Sequence, residues 1–389
     1  MAGVVELLAE LVRINSTNAS MPDGAGEAEL GRYVADFGRL MGAEVRLEEV
    51  LPERSNVYVR LPASSGDAAE QPRRLLFDVH LDTVPLAPMP DALSPVVRDG
   101  RMWGRGACDT KGSLAAVLKA MERVAQMGSG RKREVLLLAS VDEEFRKRGV
   151  THAVQQGLTA EAAIVGEPTS MRPVVAHKGA VRWRFTTIGK AAHTSRPENG
   201  NNAILQMMEV IGTLEERVVP RLDTITHPLL TPPTLTVGRI EGGLGVNIVP
   251  ERCWIEIDRR TLPTEDPDEV LAEIDAVMGD LMARRPDVRV ERDAPFLSES
   301  GLETAPDAPV VRAVQAACRL AIGSGFDVSP AGVPYGTDGT ALRGVPSVVI
   351  GPGDIAQAHS ADEWVELAQV EAAERVYYEV MRGWVEGEW

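Results

Sequence analysis

The stretch LLFDVHLD, residues 75–82, is a short apolar run that ends on a histidine and an aspartate. The pattern recurs in VLLLASVDEE at 135–144, closing on Glu143 and Glu144, in AAIVGEP at 162–168, closing on Glu167, and in SVVIGPG at 347–353, soon followed by His359. Near-continuous apolar runs of this length read as strands buried on both faces, the kind a parallel sheet needs. Parallel strands return through crossovers, so residues lying past their carboxyl ends gather in one crevice. The glycine-rich segment GRGACDTKG, residues 104–112, would bring Asp109 there as well. Two imidazoles and several carboxylates in one crevice suit a pair of zinc-like cations, so a metal-dependent hydrolase is the leading expectation.

At 389 residues the chain suggests two or three domains at about 150 residues each. The formal charge of -16 argues against nucleic acid, whose phosphates would be repelled by so acidic a surface; small molecules are the expected partners. Cys108, Cys253 and Cys318 are widely spaced with no CxxC pair, which suggests neither a disulfide framework nor a thiolate metal site and fits a reducing compartment. The opening segment MAGVVELLAELVRI carries Glu6 and Glu10, and reads as an amphipathic helix rather than a secretory signal. No apolar run is long enough to span a bilayer, so a cytoplasmic location without membrane association is expected.

Helical periodicity in residues 3–14 and 26–43 alternates with strand candidates NVYVRL, LLFDVHL, VLLLASV and AAIVGE, and SLAAVLKAMERVAQM after Asp109 supplies a crossover helix. The expected fold is α/β, a mostly parallel sheet flanked by helices. Near residue 179 the order changes to strand VRWRFTTIG, helix NNAILQMMEVIGTLEERV, strands TLTVGRIEG and RCWIEIDRR, helix DPDEVLAEIDAVMGDLMARR and strand VRVERDAPF. That βαββαβ series is the ferredoxin-like pattern. It reads as a second α+β domain over 179–296, inserted into a domain made of 1–178 and 297–389. The segment SSGDAAEQPRR near residue 64 reads as an exposed loop.

Each candidate residue also has an ordinary reading. His80 and Asp82, two apart on a strand, would share a face, so the Asp82 carboxylate can orient the imidazole; alone, such a pair is a weak sign of a metal site. Asp109 precedes a helix and would also serve as a cap. Glu143 and Glu144, leaving an extended segment in different directions, can take two roles or form a solvated acidic turn beside Asp142. Glu167 before Pro168 reads equally as a surface acid at a strand corner, and His359 as the neighbour of a helix start. Their joint fall past separate strands is what favours a centre.

Taken in order, HLDTVP, GRGACDTKGSLAA, DEE, GEPT, GKAAHTSRPENGNNAI and QAHSADE resemble the signatures of the two-zinc amidohydrolases and exopeptidases. That family includes acetylornithine deacetylase, succinyl-diaminopimelate desuccinylase, carboxypeptidase G and aminoacylase. The resemblance implies two divalent ions per chain, zinc first, with cobalt or manganese compatible with the same donors. It implies that Asp109 bridges them, with His80 and Glu167 on one ion and Glu144 and His359 on the other. Asp82 would orient a ligand, and Glu143 would be the general base. The inserted domain would be a lid that also makes a homodimer, with His193 reaching the partner subunit's site to bind the developing oxyanion. Asn247 in GVNIVP, Arg259 in IDRR, and Gly336 and Thr337 of GTDG would hold substrate, the arginine fork suiting an α-carboxylate. The implied reaction is hydrolysis of an N-acyl amino acid. QAHSADEW after a GPG turn is most similar to the acetylornithine deacetylase branch, with the desuccinylase and a dipeptidase or glutamate carboxypeptidase as alternatives. One departure stands out: DEEFRKRGV, residues 142–150, lacks the small, glycine-rich continuation expected after the paired acids.

Overall fold

The computed structural model describes residues 3–64, 73–128 and 130–389, so most of the segment read as an exposed loop lies outside the described residues. Packing divides the chain into two compact units, one of Met1–Val175, Glu303–Ala331 and Thr337–Trp389, the other of Ala176–Leu302 and Gly332–Gly336. The division differs a little from the boundaries expected at 178/179 and 296/297. Leu297–Glu299 pairs with strand Gly179–Ile188 and so stays with the second unit. Gly332 joins it because the chain there runs hard against the Leu229 carbonyl, which would stand 2.3 Å from an added Cβ.

The large sheet of the first unit runs Glu44–Leu51, Arg54–Leu61, Glu134–Ser140, Arg74–His80, Ala162–Val165, Ser347–Val349 and then the strand opening at Val174. Its middle is parallel: Arg74–His80 pairs in parallel with Glu134–Ser140 on one side and Ala162–Val165 on the other, and Ser347–Val349 continues the run. Antiparallel strands complete the edges, a common arrangement in large mixed sheets. Every residue of Glu134–Ser140, and all from Leu75 to His80, is buried, the polar Asp78 and Ser140 included, as expected of central strands covered on both faces. Helix Lys111–Gln126 is buried almost all round and packs against Val4–Arg13 and Leu367–Glu386. The first of these buries Val4, Leu7, Leu8, Leu11 and Val12 on one face.

The second unit is built on an antiparallel sheet ordered Thr234–Gly242, Arg252–Thr261, Gly179–Ile188, Val290–Arg292, the strand order of a ferredoxin-like βαββαβ unit. Helices Ala203–Arg217 and Pro267–Arg284 close one core with it, around Trp183, Phe185, Met207, Ile255, Ile257 and Ile274. Along Arg252–Thr261 burial alternates, as it must when one face of a strand meets that core. The strand expected from VRVERDAPF is shortened to Val290–Arg292, stopping before Pro295, which has no N–H to offer a ladder, and a further strand just past the expected segment, Leu297–Glu299, also pairs with Gly179–Ile188.

Candidate metal centre

Three adjacent parallel strands deliver the first groups. His80 ends its strand, Glu143 and Glu144 follow Ser140 on the neighbour to one side, and Glu167 lies two residues past Val165 on the other. His359 follows the next strand, Ser347–Val349, and takes a left-handed backbone conformation at φ 63°. Asp109 stands just before helix Lys111–Gln126. The residue in the capping position is Thr110, without a side-chain capping bond, so the ordinary capping role does not fall to Asp109. The Asp109–Thr110 peptide is cis.

The two oxygens of Asp109 face different partners. Oδ1 lies 3.1 Å from His80 Nε2, and Oδ2 lies 3.4 Å from His359 Nε2. Glu167 Oε1 is 3.8 Å from His80 Nε2, and Glu144 Oε2 is 2.9 Å from His359 Nε2. Donor atoms of His80, Asp109 and Glu167 lie within 4.8 Å of one another, and so do those of Asp109, Glu144 and His359. These are two trios sharing one aspartate. The first trio is buried, whereas the His359 side chain is 55% exposed, so the second opens to solvent.

The expected relation of Asp82 to His80 needs correcting. The strand ends at His80, so Asp82 is not on a strand face with it. His80 Nδ1 donates to the Asp82 main-chain carbonyl at 2.9 Å, while the Asp82 carboxylate stands 3.6 Å away. The tautomer is still fixed from residue 82, but by its backbone. The carboxylate is committed elsewhere, accepting from the main-chain N–H groups of Glu143 and Glu144, both at 3.0 Å, and from Asn18 Nδ2 at 2.7 Å. Asp82 therefore anchors the turn that aims the paired glutamates. That turn is the short helix Glu143–Arg146, not an extended segment, and it is entered through Asp142 at φ 69°.

Several residues that frame the site went unread in the sequence. Arg54 is bound to Glu27 and lies 3.1 Å from Asp142, and Arg148 contacts Asp142 as well, at 2.5 Å. Ser20 accepts from both arginines. The departure in DEEFRKRGV thus has a structural purpose: Arg148 reaches back to fix Asp142, and Lys147 Nζ sits 3.2 Å from Glu143 Oε1. The available signal was the cationic run Arg146, Lys147 and Arg148 shortly after the acids. Glu363, 1% exposed, is a further such residue: its carboxylate accepts from the N–H groups of Gly106, Cys108 and Asp109 and from Arg105.

The expected substrate residues fare differently. In the second unit, His193 and Asn247 are exposed neighbours: His193 bridges to Ile248, and the Thr194 N–H donates to the Asn247 carbonyl at 3.2 Å. Ser195 approaches His193 Nδ1 with both its main-chain N–H, at 3.1 Å, and its hydroxyl, at 2.7 Å. Arg259 is not an open fork. It is buried, with its guanidinium turned onto Glu265 and the Arg260 carbonyl, because a buried cation needs an internal counter-charge. Thr337 is fully buried and its hydroxyl accepts from the Gly339 N–H at 3.1 Å, capping a short 3₁₀ turn. Gly336 lies 3.5 Å from the Lys178 carbonyl, measured from an added Cβ.

Electrostatics bear on whether cations fit. Burial pushes Glu144 up to about 8, with the Asp109 charge adding to it, and burial likewise holds Glu167 well above the carboxylate range. Asp109 goes the other way: burial works against its charge, but hydrogen bonds to His359 and His80 hold it well below the usual range. His359 is lifted to about 10 by hydrogen bonds to Asp109 and Glu144. The site is thus short of positive charge, and it draws in protons to supply it. Glu144 Oε1 is buried with no hydrogen-bond partner. A mixed nitrogen and oxygen donor set, one carboxylate shared between two trios and an orphaned carboxylate oxygen all fit a pair of divalent cations.

A mostly parallel α/β sheet with such a centre at its carboxyl edge defines a metal-dependent hydrolase. The chain belongs to peptidase family M20/M25/M40, whose description matches residues 76–383. It is 32% identical over 345 residues to acetylornithine deacetylase of Myxococcus xanthus, covering 86% of each chain. It is 30% identical over 388 residues to acetylornithine deacetylase of Vibrio cholerae, covering 97% of each. Among solved structures, a tripeptidase from Staphylococcus aureus superposes with a TM-score of 0.79 at 21% identity, covering 98% of both chains. A dinuclear metal-binding peptidase of the M20 family from Bacillus subtilis superposes with a TM-score of 0.71 at 14% identity over 97% of both. At these identities the structures speak for the fold.

Proposed function

We propose that the chain is an N-acyl amino acid amidohydrolase, and within that class an acetylornithine deacetylase, working with two divalent ions. The observation that carries the reading is Asp109, which offers one carboxylate oxygen to each of two otherwise separate trios. His80, Glu167 and Asp109 would hold one ion, and Glu144, His359 and Asp109 the other. Zinc is the proposed metal, and the name of the Bacillus subtilis neighbour supports a dinuclear centre. Bound there, the ions would lower the pKa of water, polarise the scissile carbonyl and stabilise the oxyanion.

The chain's own residues do the rest. Glu143 belongs to neither trio, yet its peptide N–H is pinned by Asp82 and its carboxylate is held near Lys147. It is free to take a proton from the attacking water and pass it to the leaving amine. His193, on the second unit, would donate a hydrogen bond to the oxyanion in the partner subunit's site, and Asn247 beside it would bind substrate. Gly336 and Thr337 would shape the pocket through their loop, and Arg259 would serve substrate only after exchanging Glu265 for a substrate carboxylate. Homodimerisation through the second unit is supported by exposed Leu205 and Met208 on one helix and by the unpaired edge of Thr234–Gly242. A cytoplasmic location is supported by three buried, unpaired cysteines. Among the described residues no helix is long and apolar enough to cross a membrane.

The substrate choice rests on the two deacetylase relatives. It is tested by initial rates on N-acetylornithine, N-succinyl-diaminopimelate and a dipeptide, with metal supplied. Acetylornithine should give the highest kcat/KM, and absence of its cleavage would remove this assignment while leaving the family intact.

A further inference from the structure

We infer that Glu363 is a positioning residue that couples the two loops of the His359 trio, setting the spacing between the bridging Asp109 and His359. The inference rests on the reading of these trios as metal ligands. Glu363 comes four residues after His359, so it belongs to the same loop. Its Oε1 accepts from the N–H groups of Cys108 at 2.8 Å and Asp109 at 3.0 Å. Its Oε2 accepts from the Gly106 N–H at 2.9 Å and from Arg105 Nη1 at 2.8 Å, and its main-chain carbonyl accepts from the Gly104 N–H at 3.1 Å. One side chain therefore satisfies the backbone of the segment that ends in Asp109. Gly106, at φ 83°, allows that segment to curl around the carboxylate; a Cβ there would meet Lys111 and Thr83 at 2.9 Å.

The two trios depend on this clamp unequally. His80 ends a strand and Glu167 follows one, so the sheet fixes two ligands of the first trio whatever Glu363 does. In the second, Asp109 and His359 sit on the two segments that Glu363 joins, and only Glu144 is held independently, through Asp82. Loosening the clamp should degrade the His359 trio selectively. Supporting groups around metal ligands are worth about 10- to 100-fold in affinity.

The test is cobalt(II) titration of metal-free protein, followed by calorimetry and visible absorption, with thermal melting of the metal-free forms alongside. Glu363→Gln keeps the shape but turns an amide NH₂ toward groups that are themselves donors. Glu363→Asp keeps the charge but cannot span both pairs of donors. The wild-type chain should take up two equivalents. Because Asp109 is shared, each variant should bind one equivalent only slightly more weakly than the wild type and the other about 10- to 100-fold more weakly, with a changed absorption spectrum for that step. A purely structural role would lower the melting temperature of the metal-free protein and leave both steps at wild-type affinity; that result overturns the inference, as does failure of both variants to fold. A wild-type chain that binds fewer than two equivalents removes the metal reading itself, and the inference with it.

Discussion

Glu143 and Glu144 share a turn, and their surroundings divide their labour. Glu144 faces His359 and Asp109, whereas Glu143 faces Lys147 and stands outside both trios. Glu143→Gln should therefore reduce kcat by about 10²- to 10⁴-fold, the range for a lost general acid–base group. Metal analysis should still find two ions per chain. Loss of metal together with activity would mean that the two glutamates have exchanged roles. His80, Asp109, Glu144, Glu167 and His359 were legible because each stands where an apolar run or a glycine-rich turn gives out. Asp82 was legible as a partner of the site but not in its manner of acting. That depends on which of its atoms faces the imidazole, a matter of one residue's strand or loop conformation that alternation does not encode. The commitment of Arg259 to Glu265 was equally hidden, since an ion pair six residues apart follows from burial that the sequence pattern does not report.

At the scale of the element, the turn after strand Glu134–Ser140 is held in a left-handed entry at Asp142 by the two arginines, Ser20 and Asn18. Glu27 is buried and Arg54 is its ion-pair partner, so removing Arg54 would leave that charge uncompensated, whereas Asp142 would keep Arg148. Arg54→Met should cost about 3–5 kcal/mol, as breaking a buried pair from one side does. Chemical denaturation would read this as a lower midpoint at unchanged slope, and an unchanged midpoint would refute the clamp. Gly149 meets the same turn so closely that an added Cβ would lie 2.4 Å from the Val141 carbonyl and 2.7 Å from Asn56 Oδ1. Gly149→Ala should accordingly destabilise the chain by about 1–3 kcal/mol, the range for overpacking. The buried strands and long helices were readable from periodicity. The edge strand Glu44–Leu51 was not, because Glu48 and Glu49 break the alternation of EVRLEEVL and none of its residues is fully buried.

For the whole molecule, net charge bears on the homodimer proposed above. A chain of net charge -16 resists self-association unless apolar contact outweighs repulsion, so an apolar face left exposed needs a use. On the second unit, Leu205 is 59% and Met208 63% exposed, one helical turn apart on Ala203–Arg217. Beside that helix, Gly242 of the edge strand lies against Ile204, and Ile240 of the same strand is also exposed. A second copy of this surface would pair edge with edge and helix with helix about a two-fold axis, the commonest form of self-complementary interface. In the proposed homodimer, Leu205→Glu combined with Met208→Glu would place like charges near one another across that axis and should convert the dimer to a monomer in light scattering. Because His193 is proposed to act in the partner subunit's site, the monomer should also lose most of its kcat while keeping its metal. Mixing a His193→Ala chain with a Glu143→Gln chain separates the two effects, since a heterodimer then has one site with Glu143 from one subunit and His193 from the other and should regain part of the turnover. A wild-type chain that is monomeric and fully active at assay concentrations would dismiss both the dimer and the role of His193 across it.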